Sequence, residues 1–349
     1  MKPITVPFFI SHQGCPHTCV FCDQRIISGA AGCLPTKEEI ISKIGVWRAS
    51  AGSRPVEVAF FGGSFTALPN EIQAELLAPL QPLLVCGEIA AVRLSTRPDY
   101  IDSERVALLK KSGVSTIELG VQSMDDAVLN ASGRGHTAAQ SEAAIRCIRQ
   151  HGLIVGAQLM PGLPGDTPLS SLASLERIIA AGADFIRIYP TVVIRGTELA
   201  KRHAEGDYLP LGLERGVSLC KLLVHRAMQS GLPVIRIGLQ ADDGLTSDTV
   251  LAGCWHPSLG QIVRSQLYFD LISQSVSHGE DVVILCHPAR LSDVVGQKKN
   301  NMKSLAERAV QARVIPDSSL EKEELVIVKG SQRSKYNVRT DLQYSIHEV

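Results

Sequence analysis

The sequence predicts an α/β fold, a partial (β/α)6 TIM-type barrel of parallel strands followed by a smaller α+β C-terminal domain. Three observations carry this. Short runs rich in Val, Ile, Leu and Phe alternate with longer amphipathic stretches from about residue 50 to 190. Successive runs lie about 25 to 40 residues apart, the separation a right-handed βαβ crossover requires. The pattern then changes near residue 195, dividing the chain into 1–200 and 201–349.

Taken in order, Val6–Ile10 reads as a first strand. Val56–Phe61, Ala91–Ser95, Thr116–Gly120, Ile154–Met160 and Phe185–Pro190 follow, each bounded by Gly, Pro or polar residues. Between them, Ser103 is placed to cap a helix reaching Ser112 ahead of Gly113. Thr137 caps one through His151, and Thr167 one through Ala181 ahead of Gly182. Six strands fall short of the eight in a closed barrel. Beyond residue 200, Leu213–Ser230 reads as a helix and Val234–Leu239 as a strand. Then come a strand (Val282–His287), a helix (Pro288–Val295), a basic turn (Gly296–Lys299), a helix (Asn300–Ala312) and a strand (Leu325–Lys329).

Composition narrows the function classes. The 349 residues carry 35 Lys and Arg against 35 Asp and Glu, so no chain-wide attraction draws nucleic acid or anionic lipid. A local basic patch stays open. No run approaches the ~18 apolar residues of a membrane span, and the N-terminus lacks a signal-peptide pattern. A cytoplasmic, non-membrane location is expected. Nine cysteines, an odd number, argue against a disulfide framework and leave thiols free as metal ligands. Cys33, Cys86, Cys147, Cys220, Cys254 and Cys286 read as small apolar filler, although Cys254 and Cys286 stand beside His256 and His287 as a conceivable second metal site.

The chemistry concentrates in Gly14-Cys15-Pro16-His17-Thr18-Cys19-Val20-Phe21-Cys22. The spacing C-x3-C-x2-C lets three thiolates converge on one centre. Structural zinc normally takes four protein ligands, and a [4Fe–4S] cluster usually takes four thiolates. Three thiolates leave one iron open, which suits binding a substrate-like ligand; zinc stays the alternative. Polar and glycine positions recur at the strand ends. Gly62, Gly63 and Ser64 follow the second strand, Ser95 and Arg97 the third, Gln122 the fourth, and Gln158 the fifth. They form turns or line one ligand pocket, where Arg97 suits a carboxylate.

The cysteine triplet with Phe21 before its last member resembles the signature of the radical S-adenosylmethionine superfamily. That resemblance implies a [4Fe–4S] cluster on Cys15, Cys19 and Cys22 whose open iron chelates S-adenosylmethionine. It also implies reductive cleavage to a 5′-deoxyadenosyl radical. Gly62, Gly63 and Ser64 then correspond to the glycine-rich turn at the cofactor's amino group. Phe21, Ser95, Arg97, Gln122 and Gln158 are the further expected cofactor contacts.

The wording of the motifs is narrower: Phe60-Phe61-Gly62-Gly63-Ser64-Phe65-Thr66, Ser95-Thr96-Arg97-Pro98-Asp99, Glu118-Leu119-Gly120-Val121-Gln122-Ser123, and Arg134-Gly135-His136-Thr137. These resemble the short bacterial branch of the Elongator catalytic-subunit group. That implies an RNA substrate, transfer RNA in particular, and an electron donor such as flavodoxin or ferredoxin. Elongator subunits also carry an acetyltransferase domain, and no acetyl-coenzyme A loop is recognisable here. The strand–helix–turn–helix–strand order after residue 282 resembles a K-homology half-domain, which implies phosphate contacts at Lys298, Lys299 and Lys303. Lys299 replaces that motif's second glycine, and a plain solvated turn is the other reading. A small-metabolite substrate and a non-catalytic metal-binding protein are the alternative functions.

Overall fold

The structure, a computed structural model, describes residues 3–23, 33–239, 245–246 and 248–348. Its strands are β1 (Ile4–Phe9), β2 (Val56–Phe61), β3 (Ala91–Thr96), β4 (Val114–Gln122), β5 (Ile154–Leu159), β6 (Phe185–Ile188), β7 (Val192–Ile194), β8 (Val234–Ile237), β9 (Val250–Gly253), β10 (Asp281–Cys286), β11 (Gln311–Pro316), β12 (Glu324–Lys329) and β13 (Gln332–Asn337). The helices are α1 (Lys37–Ala51), α2 (Asn70–Leu77), α3 (Leu80–Val85), α4 (Ser103–Lys111), α5 (Asp126–Ala131), α6 (Ala138–Gln150), α7 (Pro168–Ala181), α8 (Glu198–Glu205), α9 (Leu213–Gln229), α10 (Leu259–Ser275), α11 (Leu291–Val295) and α12 (Asn300–Glu307).

Seven strands form one parallel sheet in the order β1-β2-β3-β4-β5-β6-β8. The six expected strands are all present, and Val234–Ile237 adds a seventh. The sheet therefore draws on residues well past the division expected at 200. β2 is buried along almost its whole length, as a parallel strand covered on both faces must be. Thr36, Thr137 and Thr167 each accept an amide bond from the third helical residue of α1, α6 and α7, with a reciprocal side chain completing a capping box. α7 ends on Gly182 in the left-handed region. For α4 the cap is Asp102 rather than Ser103. The carboxylate accepts from the Arg105 amide, which places Ser103 inside the first turn.

Alternation along the strands sends apolar side chains to the helices and polar ones to the lumen. Val58, Phe60, Leu94, Ile117, Val155 and Ile186 pack outward in a core that continues without a break to Val338 and Leu342. On the lumen side, Arg93 Nη1 lies 2.9 Å and Arg187 Nε 2.7 Å from the Glu118 carboxylate, and Arg93 Nε lies 3.2 Å from Glu57. Gly156 of β5 also faces inward, where the Phe185 ring occupies the place a Cβ would take.

The C-terminal part holds elements beyond those expected, β9, α10 and β13, and replaces part of one expected helix by a strand. The helix expected over Asn300–Ala312 stops at Glu307, and Gln311–Pro316 is β11, parallel to β10. Val310 is buried and Val314 partly so, an alternation that suits a strand. A β-α-α-β crossover also brings the chain back parallel to where it began. β12 then pairs antiparallel with β10 and, through a hairpin, with the polar strand β13, which forms the sheet edge. Among the described residues no helix is long and apolar enough to cross a membrane.

Gly156→Ala should destabilise the fold by about 1–3 kcal/mol through overpacking against Phe185. The double variant Gly156→Ala/Phe185→Leu should recover most of that loss in urea denaturation. A cost left undiminished in the double variant would show that the ring is not the obstacle.

Candidate functional site

The cysteine loop leaves the C-terminal end of β1 and lies directly on the turn after β2. Three backbone bonds stitch the two together. The Ile10 amide donates to Phe61 O (2.8 Å), the His12 amide to Gly62 O (3.1 Å), and the Ser64 amide to Gln13 O (2.9 Å). This seam needs glycine on both sides. A Cβ on Gly14 would strike Ser64 O, and one on Gly63 would strike Ile10 O and Gln13 O. Gly62 meets a different need, its φ of +85°.

Further along, the Val20 amide donates to Ser132 O and the Leu199 amide to Val20 O. Phe21 is buried with Cys19 and Val20 in an apolar cluster that includes Val128, Leu163 and Tyr208. Its ring therefore anchors the loop from below.

Cys15, Cys19 and Cys22 all line one cavity of about 580 Å³, together with His12, Asp23 and Glu198. Cys15 is exposed, Cys19 buried and Cys22 intermediate. Burial raises the Cys15 pKa, as does Cys19, while Arg134 and Arg97 pull it back toward the thiolate that iron requires. Among the described residues no three His, Cys, Asp or Glu side chains are drawn together as ligands of a single metal ion. An iron–sulfur cube asks for a wider set, because each thiolate takes a different iron.

Arg134 is the residue the motif reading passed over. Its side chain is buried, Nη1 donates to Cys19 Sγ at 3.2 Å, and Nη2 donates to Gly120 O at 2.6 Å. Its Nε is buried without a partner. A guanidinium held against one of the cavity's thiols, with a donor to spare, suits an anionic ligand atom beside the cluster loop. Sequence offered one signal for it, the Arg134-Gly135-His136-Thr137 run. Gly135 has φ +68° and lies under the His17 ring, locking that loop onto the cysteine segment.

Other expected positions are placed differently. The Arg97 guanidinium is bound to Asp99 at 2.9–3.0 Å and to Arg134 O, so its charge is already matched inside the protein. The Ser64 hydroxyl is fully buried and turned toward Thr96 and the Arg97 amide at 3.3 Å, tying β2 to β3. Ser95 faces the lumen half-buried. Gln122 and Gln158 do come together, Gln158 Nε2 donating to Gln122 Oε1 at 3.0 Å. Gln122 holds φ +68° at an irregularity in β4, a conformation that costs about 1–3 kcal/mol and clusters at functional sites.

The scattered cysteines divide. Cys33 and Cys86 are exposed rather than core filler. Burial pushes the Cys254 and Cys286 thiols up to about 12 and about 11. Beside them, His256 and His287 accept the Ser258 and Ala289 amides in local turns. The residues expected at the basic turn are exposed. Lys298 and Lys299 adopt φ +50° and +61°, so Lys299 sits in a backbone state that glycine favours. The sequence also reads as a polar surface loop over Gln240–Asp248, of which residues 240–244 and 247 lie outside the described residues.

Two family models match the chain: the radical SAM superfamily over residues 9–178 and the radical SAM C-terminal domain over residues 183–268. A tRNA uridine(34) acetyltransferase from Methanocaldococcus infernus is 32% identical over 184 residues, 47% of this chain and 34% of that protein. An uncharacterised Methanocaldococcus jannaschii protein is 28% identical over 225 residues, 61% of this chain and 69% of that protein. The solved Methanocaldococcus infernus Elp3 aligns with TM-score 0.61 and 19% identity over 97% of this chain and 76% of that one. Coproporphyrinogen III oxidase from Escherichia coli aligns with TM-score 0.51 and 20% identity over 66% of this chain and 53% of that one. At these identities the structural likenesses speak for the fold. The chain spans about a third of the acetyltransferase it matches.

Gly63→Ala should lower iron per chain after anaerobic reconstitution several-fold, because the seam under the cysteines opens, while circular dichroism stays native. Full iron loading would show that the seam does not position the thiols. A second expectation concerns pH. Burial, with Arg134 and Arg97 nearby, pushes His136 down to about 3. The unfolded imidazole titrates near ~6.5, so the unfolded state takes up the proton first and stability falls as pH drops from about 6.5 toward about 3. His136→Gln should flatten that limb by up to about 2 kcal/mol between pH 6.5 and 5. Identical denaturation midpoints against pH for the two proteins would refute the assignment.

Proposed function

The chain belongs to the radical S-adenosylmethionine superfamily, and from that premise we propose that it is a radical enzyme acting on RNA, transfer RNA in particular. The observation that carries the catalytic half is the placement of Cys15, Cys19 and Cys22 around one cavity at the C-terminal end of the parallel sheet, with Arg134 against Cys19. That is the end of a parallel barrel at which active sites are built.

The residues fit the group the family implies. Cys15, Cys19 and Cys22 would hold a [4Fe–4S] cluster, and Arg134, with its buried unpartnered Nε, would face the carboxylate of S-adenosylmethionine. When bound, cluster and cofactor supply one-electron cleavage of a sulfonium carbon–sulfur bond, the electron coming from a donor such as flavodoxin or ferredoxin. The protein's own part is positional. Phe21 and the backbone seam fix the thiols, and Gly62 and Gly63 let the turn after β2 lie directly against the cysteine loop. Gln122 and Gln158 present amides at neighbouring strand ends, and the guanidinium charges favour thiolate over thiol. Arg97 supports Arg134 through its carbonyl, and Ser64 supports the turn; both act here as positioning residues.

The RNA half rests on the sequence relatives named as tRNA uridine(34) acetyltransferases. The exposed Lys298, Lys299 and Lys303 support it as phosphate contacts.

Anaerobically reconstituted protein with dithionite should convert S-adenosylmethionine to 5′-deoxyadenosine, and Cys19→Ala should abolish the product. Mass spectrometry of nucleosides from cells with and without the protein should show one modified nucleoside missing. Product formation undiminished in Cys19→Ala would remove the radical reading. An unchanged nucleoside profile would remove the RNA reading alone.

A further inference from the structure

The lumen of the parallel sheet holds more positive than negative charge, and the surplus sits at the sheet's edge. Two carboxylates, Glu57 and Glu118, face three guanidiniums, Arg93, Arg187 and Arg236. Glu57 pairs with Arg93, and Glu118 is shared between Arg93 and Arg187. Arg93 donates to both carboxylates and Arg187 to Glu118, so these two charges are matched. Arg93 Nε and Arg187 Nε lie within ion-pair distance of a carboxylate, yet neither has a hydrogen-bond partner. Arg187 spends one further donor on Tyr189 Oη at 3.1 Å.

Arg236 has no carboxylate within ion-pair distance among the described residues. Its place comes from a register shift. Val234 stands opposite Ile186, but Arg236, not Ile235, stands opposite Arg187. Ile235 is the extra residue and is 46% exposed. Such a bulge re-aims the side chains that follow it. Here it sets Arg236 opposite Arg187 in the parallel register, two like charges on neighbouring strands that an anion between them would reconcile. β8 is also the last strand of the sheet, so Arg236 stands at the sheet's edge.

We propose that Arg236, with Arg187 beside it, is a phosphate-binding site that receives the substrate's phosphate as the target nucleotide enters the lumen past β8. The proposal rests on the RNA reading above for the identity of that phosphate. The same chemistry would bind the phosphate of a small metabolite. Planar, permanently charged guanidiniums in partly desolvated surroundings are well matched to a phosphate oxyanion.

The test uses the reconstituted full-length protein with labelled transfer RNA across a salt series, and uridine 5′-monophosphate as the small probe. Arg236→Gln should weaken transfer RNA binding and reduce the slope of log K against log salt by about one, as loss of one phosphate contact does. Arg236→Lys should keep most of the slope. Without ligand, Arg236→Gln should melt no lower than wild type, since removing the surplus cation relieves repulsion. Uridine 5′-monophosphate should raise the wild-type melting temperature and leave that of Arg236→Gln unmoved. An unchanged salt slope in a protein that binds transfer RNA overturns the site, as does a clear drop in the variant's own melting temperature. If wild type binds no transfer RNA, the RNA reading fails instead. The nucleotide arm then decides: selective stabilisation of wild type keeps the phosphate site for a small substrate, and its absence overturns it.

Discussion

The close approach of two backbone segments, residues 10–14 and 61–64, is the constraint on which the rest of the site depends. Their bonds run amide to carbonyl in both directions, so neither segment can slide without breaking several at once. Glycine at 14 and 63 is a steric requirement there, since each Cβ would meet a carbonyl oxygen rather than a side chain that could swing aside. A cysteine loop with few apolar residues of its own gains a fixed shape from the rim of a rigid sheet. Its far end is held by the apolar cluster of Phe21, Val20 and Leu199, by backbone bonds of Val20 with Ser132 and Leu199, and by Arg134 on Cys19. The thiols are therefore held by the two ends of their loop, leaving the sulfurs themselves facing the cavity.

Much of this was legible in the sequence, and the reasons are specific. Parallel strands buried on both faces read as continuous apolar runs, so Val56–Phe61 and Ile154–Met160 stand out. Thr137 and Thr167 announce their helices because a hydroxyl cap leaves a residue-level mark. Cysteine spacing is local information as well. Arg134 was harder to see. Its importance lies in contacts with Cys19 and Gly120, 115 and 14 residues away, and nothing local distinguishes a buried guanidinium from an exposed one. Arg97 shows the converse, since its neighbour Asp99, two residues on, takes the charge that an incoming carboxylate would have met. β11 was hidden because Gln311–Pro316 alternates too weakly to outweigh the helical run before it; the crossover geometry decides it.

The basic turn illustrates how backbone state and residue type can disagree. Gly296 is crowded by Asn301, whose side-chain amide bonds three carbonyls, Ser265, Asp293 and Val294. With both ends so fixed, the chain between them must close in very few residues. Lys298 and Lys299 take up left-handed φ values to do it. The strain is local and paid where the surroundings over-determine the turn. Two exposed ammonium groups at the tip are the consequence.

β4 explains why cluster loop, lumen and strand-end amides behave as one unit. Gly120 O holds Arg134, Glu118 holds both Arg93 and Arg187, and Gln122 holds Gln158. Glu118 and Gln122 act through their side chains and Gly120 through its backbone carbonyl, all within five residues of a single strand. Beyond Leu119 the ladder to β5 breaks register before resuming at Gln122 with its left-handed φ. That irregularity changes the course of the strand end, where Gln122 meets Gln158, while Glu118 stays locked in the ion network. Glu118 and Cys19 are thus joined by two residues of one strand and one guanidinium.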